Sequence, residues 1–259
     1  MNNPVICTLS SGSSGNCVYV SSGETSLLID AGISMKATEM RLNALGSSLE
    51  NISAVLVTHE HSDHIKGLEM ISKYYKIPIY APSECVRYFP EKIDRSLVCP
   101  MDNSGYELLF GNIFVKAFPT PHDSAASVGY VIEIEGRKFG LATDMGMPTT
   151  NVAKALLGCE SIIIEANYER QMLENGPYPY FLKQRVASST GHLENTDCAR
   201  MIAYLALEGG TKSFLLAHLS KTNNTPERAL ESVGGYLASK NISVNLLVAG
   251  RNELSHLVG

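Results

Sequence analysis

At 259 residues, 44% hydrophobic and 18% charged, the chain has the apolar content of a full globular core, which excludes an intrinsically disordered polypeptide. A formal net charge of −5 excludes global attraction to nucleic acid, so a polyanionic ligand would have to be held by local basic patches or by bound cations. No apolar run reaches membrane-spanning length, the opening Met1-Asn2-Asn3-Pro4 has no basic region, and six cysteines form no Cys-x-x-Cys pair; a single cytoplasmic domain over residues 1–259, without a zinc knuckle or a disulfide framework, is expected.

Short β-type runs come first, at residues 5–9, 17–20 and 26–32. The Gly/Ser-rich turn at residues 10–16 reads equally as a plain hairpin loop or as the lining of a site. Residues 35–45 have helical spacing. The apolar run Ala54-Val55-Leu56-Val57 then leads into Thr58-His59-Glu60-His61-Ser62-Asp63-His64. Three imidazoles and a carboxylate within six residues are costly to desolvate together unless a cation offsets that cost. Just past a strand end, residues i and i+2 still project to one side, so His59 and His61 can grip one ion. Asp63 and His64 fall in the turn that opens the next helix, at about residues 64–75, and face elsewhere, which suits a second ion beside the first.

Further along, residues 77–80 read as a short strand and residues 83–89 as a short helix. Strands at residues 107–110, 113–118, 129–135 and 138–142 follow in hairpin-like succession, with a turn at Glu135-Gly136. Helix and strand then alternate: helices at 151–157, 196–207 and 226–239, strands at 161–165, 213–217 and 244–248. The long mixed stretch 175–191 is a candidate cover for the site. Two strand-rich blocks carrying helices predict two sheets packed face to face with helices outside. A faint internal echo, two apolar strands ending Asp30-Ala31-Gly32 and Asp144-Met145-Gly146, hints at an ancient duplication.

His122, Asp144 and His218 each stand just beyond a predicted strand end, where α/β folds place their chemistry, and are the remaining ligand candidates. His256, in a polar tail, reads as structural. The arrangement resembles the metallo-β-lactamase superfamily, whose members carry His-x-His-x-Asp-His after a strand and then a His, an Asp and a His at later strand ends. That resemblance covers the whole chain and implies an α/β (α+β) fold, an αββα four-layer sandwich. It also implies one divalent ion on His59, His61 and His122, a second on Asp63, His64 and His218, and Asp144 bridging them.

Within the superfamily the chain is similar to the YycJ/WalJ-like group of bacterial hydrolases, proposed DNA exonucleases. The likeness rests on residues 11–16, on Glu165-Ala166-Asn167-Tyr168-Glu169, on Leu182-Lys183-Gln184-Arg185-Val186, on Gly191-His192-Leu193, and on Ala217-His218-Leu219-Ser220-Lys221 with Asn223-Asn224. There are two departures: Glu194 follows where a small polar residue is expected, and Tyr168-Glu169 stands where His-Asp is common.

The expected activity is a metal-dependent phosphodiesterase, a DNA exonuclease in which paired cations acidify a water between them. Asp63 is expected to ligate one cation and to orient or deprotonate that water. His192, after Ser188-Ser189-Thr190-Gly191, is a candidate phosphate binder or general acid, against the plainer reading of a histidine that opens a helix. Asp30 either steadies a ligand histidine or caps a turn. Lys183, Arg185, Lys221 and Arg228 are candidates for a local phosphate track that would make nucleic-acid binding salt-sensitive. Zinc and manganese both suit the ligand set, and iron is possible. The rival reading is a thioester or lactone hydrolase of the glyoxalase II type, which would use the same ligands.

Overall fold

The computed structural model describes residues 4–258; residues 1–3, on which part of the expectation about the N-terminus rests, and residue 259 lie outside the described residues. In the first half the chain runs β1 (Val5–Ser10), β2 (Cys17–Ser21), β3 (Ser26–Ile29), α1 (Met35–Ala44), β4 (Ile52–Leu56), α2 (Ser62–Ile65), α3 (Leu68–Tyr75), β5 (Ile79–Pro82) and β6 (Val98–Met101). The middle is a run of antiparallel strands, β7 (Glu107–Phe110), β8 (Ile113–Pro119), β9 (Val128–Ile134) and β10 (Arg137–Ala142). Then follow α4 (Thr150–Leu156), β11 (Ser161–Glu165), α5 (Arg170–Asn175), α6 (Tyr180–Val186), α7 (Asn195–Gly209), β12 (Ser213–Ala217), α8 (Pro226–Ser239), β13 (Asn245–Val248) and β14 (Ser255–Val258).

The strands form two seven-stranded sheets, ordered β14-β1-β2-β3-β4-β5-β6 and β13-β12-β11-β10-β9-β8-β7. Strand periodicity makes them two layers with a helix layer on each outer side. In β4, Ala54 and Leu56 face the second sheet, while Val55 joins Leu42 of α1 and Leu68 and Ile71 of α3. In β11, Ile163 faces the first sheet, and Ile162 and Ile164 pack on Leu156 of α4, Ile202 of α7 and Val233 of α8. Sheets buried on both faces read as continuous apolar runs, which is how residues 54–57 and 162–164 look in the sequence. The result is the expected αββα sandwich.

Strand direction decides where the chemistry lies. β3 to β6 are mutually parallel, and β1 points the same way because it is antiparallel to β2, itself antiparallel to β3. In the second sheet β10, β11 and β12 are parallel, and β8 shares their direction because β9 is antiparallel to both β8 and β10. The loops after β1, β3 and β4 therefore open at one edge of the first sheet, and those after β8, β10, β11 and β12 at one edge of the second.

Several expectations are sharpened by local sterics. The helix expected over residues 64–75 is broken into α2 and α3 at Gly67, whose amide donates to Ala31 O at 2.7 Å; a Cβ there would lie 2.2 Å from Ile33 O. Glu135 (φ 51°) and Gly136 (φ 77°) make the expected two-residue hairpin turn, the left-handed pair that matches strand twist. The short helix at residues 83–89 is a single 3-10 turn, Cys85–Tyr88. The stretch 175–191 carries α6, and His256 lies exposed on β14, opposite Cys7 of β1.

Candidate metal centre

The first sheet supplies four groups from the segment after β4. Asp30, just after β3, holds them in place: its carboxylate accepts from the Thr58 N–H (2.8 Å), the Thr58 hydroxyl (2.9 Å) and His64 Nδ1–H (2.7 Å). Since the Thr58 hydroxyl proton goes to Asp30, Thr58 Oγ1 accepts from His59 Nδ1–H at 3.0 Å. Both rings thereby turn Nε2 toward the centre. His61 caps α2, and Asp63 and His64 lie within it. Asp30 thus steadies a ligand-candidate histidine, and its own φ of 60° keeps its carboxylate in the turn.

The second sheet meets them with His122 after β8, Asp144 after β10 and His218 after β12. His122 Nδ1–H donates to Gly191 O (3.0 Å), leaving Nε2 3.2 Å from His61 Nδ1. Asp144 and His218 sit in the left-handed region (φ 57° and 55°), strain that is characteristic of functional sites. The His218 backbone is held from two sides: its N–H donates to Ser11 Oγ (2.8 Å) and its carbonyl accepts from Asn167 Nδ2 (2.8 Å). The loop after β1 thus lines the site. Asn16 of the same loop lies 3.2 Å from Asp63 Oδ2 and 3.0 Å from His64 Nε2.

Glu165 was not among the sequence candidates for this centre. It is the last residue of β11, on the face shared with Ile163, and it is fully buried. Oε1 accepts from His218 Nδ1–H (2.9 Å) and His192 Nδ1–H (2.8 Å), and Oε2 from the N–H groups of Met145 (2.9 Å) and Leu193 (3.3 Å). The sequence signals were an acidic residue at the end of an apolar strand and its place at the head of the stretch Glu165-Ala166-Asn167-Tyr168-Glu169.

These donors fall into overlapping groups: His59 with His61 and His122; Asp63 with His64 and His218; His59 with His64 and Asp144. All seven expected ligand positions are therefore brought together. His59 Nε2 and Asp144 Oδ2 are buried with no hydrogen-bond partner among the described residues, a costly condition that a cation relieves. Asp144 faces both halves, with Oδ1 3.8 Å from His122 Nε2 and Oδ2 3.4 Å from His64 Nε2.

The electrostatics agree. Burial and the adjacent imidazoles hold the pKa of His59 well below the usual value, and burial lowers that of His122, so both keep free lone pairs. Burial works against protons on His64 and His218 as well, but Asp30 and Asp144 outweigh it at His64, and Asp144, Asp63 and Glu165 at His218. Burial opposes ionisation of Asp63, yet hydrogen bonds from His218 and His64 hold its pKa below the usual carboxylate range. A field that raises proton affinity on lone pairs also favours a divalent cation. The donor set of imidazoles and carboxylates fits such ions.

Residues 25–219 match the family described as the beta-lactamase superfamily domain. The chain belongs to that superfamily. It is 37% identical over 241 residues (91% of this chain, 90% of the relative) to exodeoxyribonuclease YycJ of Bacillus anthracis. It is 34% identical over 243 residues (92% and 90%) to exodeoxyribonuclease WalJ of Streptococcus pneumoniae. Its fold is similar to that of the metallo-beta-lactamase fold protein YhfI from Bacillus subtilis (TM-score 0.75, 17% identity, 98% of this chain and 100% of that one).

A cavity adjoins the centre. It has a volume of about 150 Å³ and is lined by Ser13, Asn167, Arg185, His192 and Ser220 among others. Of the four basic residues proposed as a phosphate track, Arg185 lines this cavity, Lys183 lines a neighbouring one, and Arg228 is engaged with Glu231 on its own helix. The two departures from the group pattern adjoin: Tyr168 and Glu194 form an isolated parallel bridge, and the Glu194 carboxylate pairs with Arg170. Among the described residues no helix is long and apolar enough to cross a membrane.

Proposed function

We propose that residues 1–259 form one hydrolase domain that holds two divalent metal ions and cleaves phosphodiesters, acting as a DNA exonuclease. In this reading His59, His61 and His122 hold one ion, Asp63, His64 and His218 the other, and Asp144 bridges them. Zinc or manganese, with iron as a third candidate, suits the mixture of imidazole and carboxylate. When bound, the ions acidify a water molecule and neutralise charge growing on the phosphoryl oxygens. The observation that carries the reading is the convergence of seven donors from both sheets around the unpartnered His59 Nε2 and Asp144 Oδ2.

The chain's own residues divide the remaining work. Asp63 stays ionised and partly open to solvent, so it can orient the attacking water and take its proton. His192 has Nδ1 engaged by Glu165 and lines the cavity, so its Nε2 is the nitrogen left to protonate a leaving alkoxide or to donate to a phosphate oxygen. Ser13, Ser220 and Arg185 supply further donors for an anionic substrate. The names of the relatives support DNA as the substrate, and the free cysteines fit a reducing, cytoplasmic compartment.

The test is to strip the protein with a chelator, refill it with zinc, manganese or iron, count the ions retained, and compare end-labelled DNA, a cyclic phosphodiester and a glutathione thioester as substrates. Release of nucleotides from DNA ends with two ions per chain is expected; preference for the thioester would favour the glyoxalase II type of activity instead. His192→Ala is expected to lower turnover on DNA about 100-fold or more with metal content intact. Normal turnover in that variant would remove His192 from the chemistry.

A further inference from the structure

Helix α6 is a ridge with a cavity on each side. Leu182, Arg185 and Val186 face the cavity that holds His192, whereas Tyr180, Lys183 and Gln184 line a second cavity of about 330 Å³ whose far wall includes Tyr168 and Arg170. This is the three-to-four-residue spacing of one helix presenting two faces. The small apolar cluster beneath it, Tyr168, Leu173 and Val186 with Tyr178 and Leu182, makes no use of Tyr180 or Phe181. Those two aromatics are 75% and 71% exposed and follow one another at the start of the helix, Tyr180 on the second cavity and Phe181 one residue before Leu182 of the first. Two neighbouring rings left in water give up the burial that rings normally gain, and such pairs mark a binding surface.

The N–H donors around the ridge indicate the occupant. Arg185 gives only its Nε to Asp123 and keeps both Nη groups; Lys183 gives one N–H to Glu174 O; Arg170 pairs with Glu194 yet its side chain stays 59% exposed. Around the second cavity Arg170 is offset by Glu194 and Lys183 stands beside Glu174, so the rim has no net charge, but the Lys183 ammonium has only one of its N–H groups engaged. An acyl chain or an apolar peptide would make no use of the N–H groups that Arg185 and Lys183 have left over. A nucleic-acid strand matches both features, since every base has a face to stack and every linkage carries a negative charge.

We propose that α6 is a nucleobase platform: Tyr180 and Phe181 stack on the bases flanking the scissile phosphodiester, while Arg185, Lys183 and Arg170 hold the adjoining phosphates. This rests on the nuclease reading and specifies how that site grips its substrate. The platform is sequence-tolerant because stacking does not distinguish one base edge from another.

The test is the double variant Tyr180→Ala/Phe181→Ala, which removes exposed rings and leaves the packed Leu182 and Val186 in place. On a labelled oligodeoxynucleotide its kcat/KM is expected to fall about 10-fold or more, chiefly through KM. On the same oligonucleotide with abasic terminal residues, wild type is expected to drop to the level of the variant, and the variant to lose nothing further. Equal activity of variant and wild type on the base-bearing strand, or equal loss by the variant on both strands, would overturn the platform.

A second measurement needs no turnover. The chain has no tryptophan, so Tyr180→Trp places a single, selectively excitable indole on the ridge. Its emission in the metal-loaded protein is expected to be quenched by a phosphorothioate oligodeoxythymidylate and unchanged by inorganic polyphosphate. If wild type fails to cleave any DNA, the nuclease reading falls on its own, and this emission still decides the platform: quenching upholds it and unaltered emission overturns it.

Discussion

Glu165 places one negative charge where two imidazoles need it. Burial opposes its ionisation, but the charge of His192 and the hydrogen bonds from His192 and His218 hold its pKa below the usual carboxylate range, so it remains an acceptor for both rings. Each ring is thereby fixed in the tautomer with Nδ1 protonated, which frees Nε2 of His218 for a cation and that of His192 for a substrate. Glu165→Gln keeps the shape but turns one terminus into a donor among four donors. Metal affinity or turnover is expected to fall roughly 10- to 100-fold, read by metal titration alongside kcat/KM. Values equal to wild type would show that backbone clamping alone orients the two rings.

At the scale of elements, the strand ends repeat one device. β3 and β10 are each followed, one and two residues on, by an aspartate in the left-handed region, with a glycine two residues further that lies against a backbone from elsewhere. At Gly32 a Cβ would fall 1.6 Å from Asp63 O, and at Gly146 one would fall 2.4 Å from the Ser189 carbonyl carbon. Gly32→Ala therefore has to push α2, with Asp63 and His64, away from the centre. A loss of about 3 kcal/mol, roughly 6–12 °C in Tm, together with lost turnover is expected in calorimetry and activity assays; an unchanged Tm would show that α2 moves freely. The sequence displays this device twice as Asp-x-Gly, and it displays His59, His61, Asp63 and His64 outright, because clustered imidazoles have no packing role. His122, Asp144 and His218 were legible through strand ends. Glu165 was not, since the histidines that it holds, His192 and His218, lie 27 and 53 residues further along the chain. β6 and β14 escaped for a related reason: as edge strands they are only half-buried, and Pro100 interrupts the first, so neither shows the alternation that reveals a strand.

For the whole molecule, the centre is a seam. His59, His61, Asp63 and His64 belong to one sheet, and His122, Asp144 and His218 to the other, so any cation held between them ties the two halves of the sandwich together at the edge where their loops meet. Elsewhere the halves are joined by the apolar layer between the sheets, in which Leu27, Ile29 and Leu56 meet Ile132, Leu141 and Ile163. That layer is independent of metal, so the stripped protein is expected to stay folded. Binding to the folded state alone adds about 2.7 kcal/mol when free metal stands 100-fold above its dissociation constant, roughly 5–11 °C in Tm for a chain of this size. Calorimetry with zinc or manganese, and again with a chelator, should show that shift in wild type. It should be smaller in Asp144→Asn, where the carboxylate facing both groups of ligands has lost its charge. A melting temperature that ignores the chelator in both proteins would mean that the seam is held by side-chain hydrogen bonds alone, and the two-ion reading would fall with it.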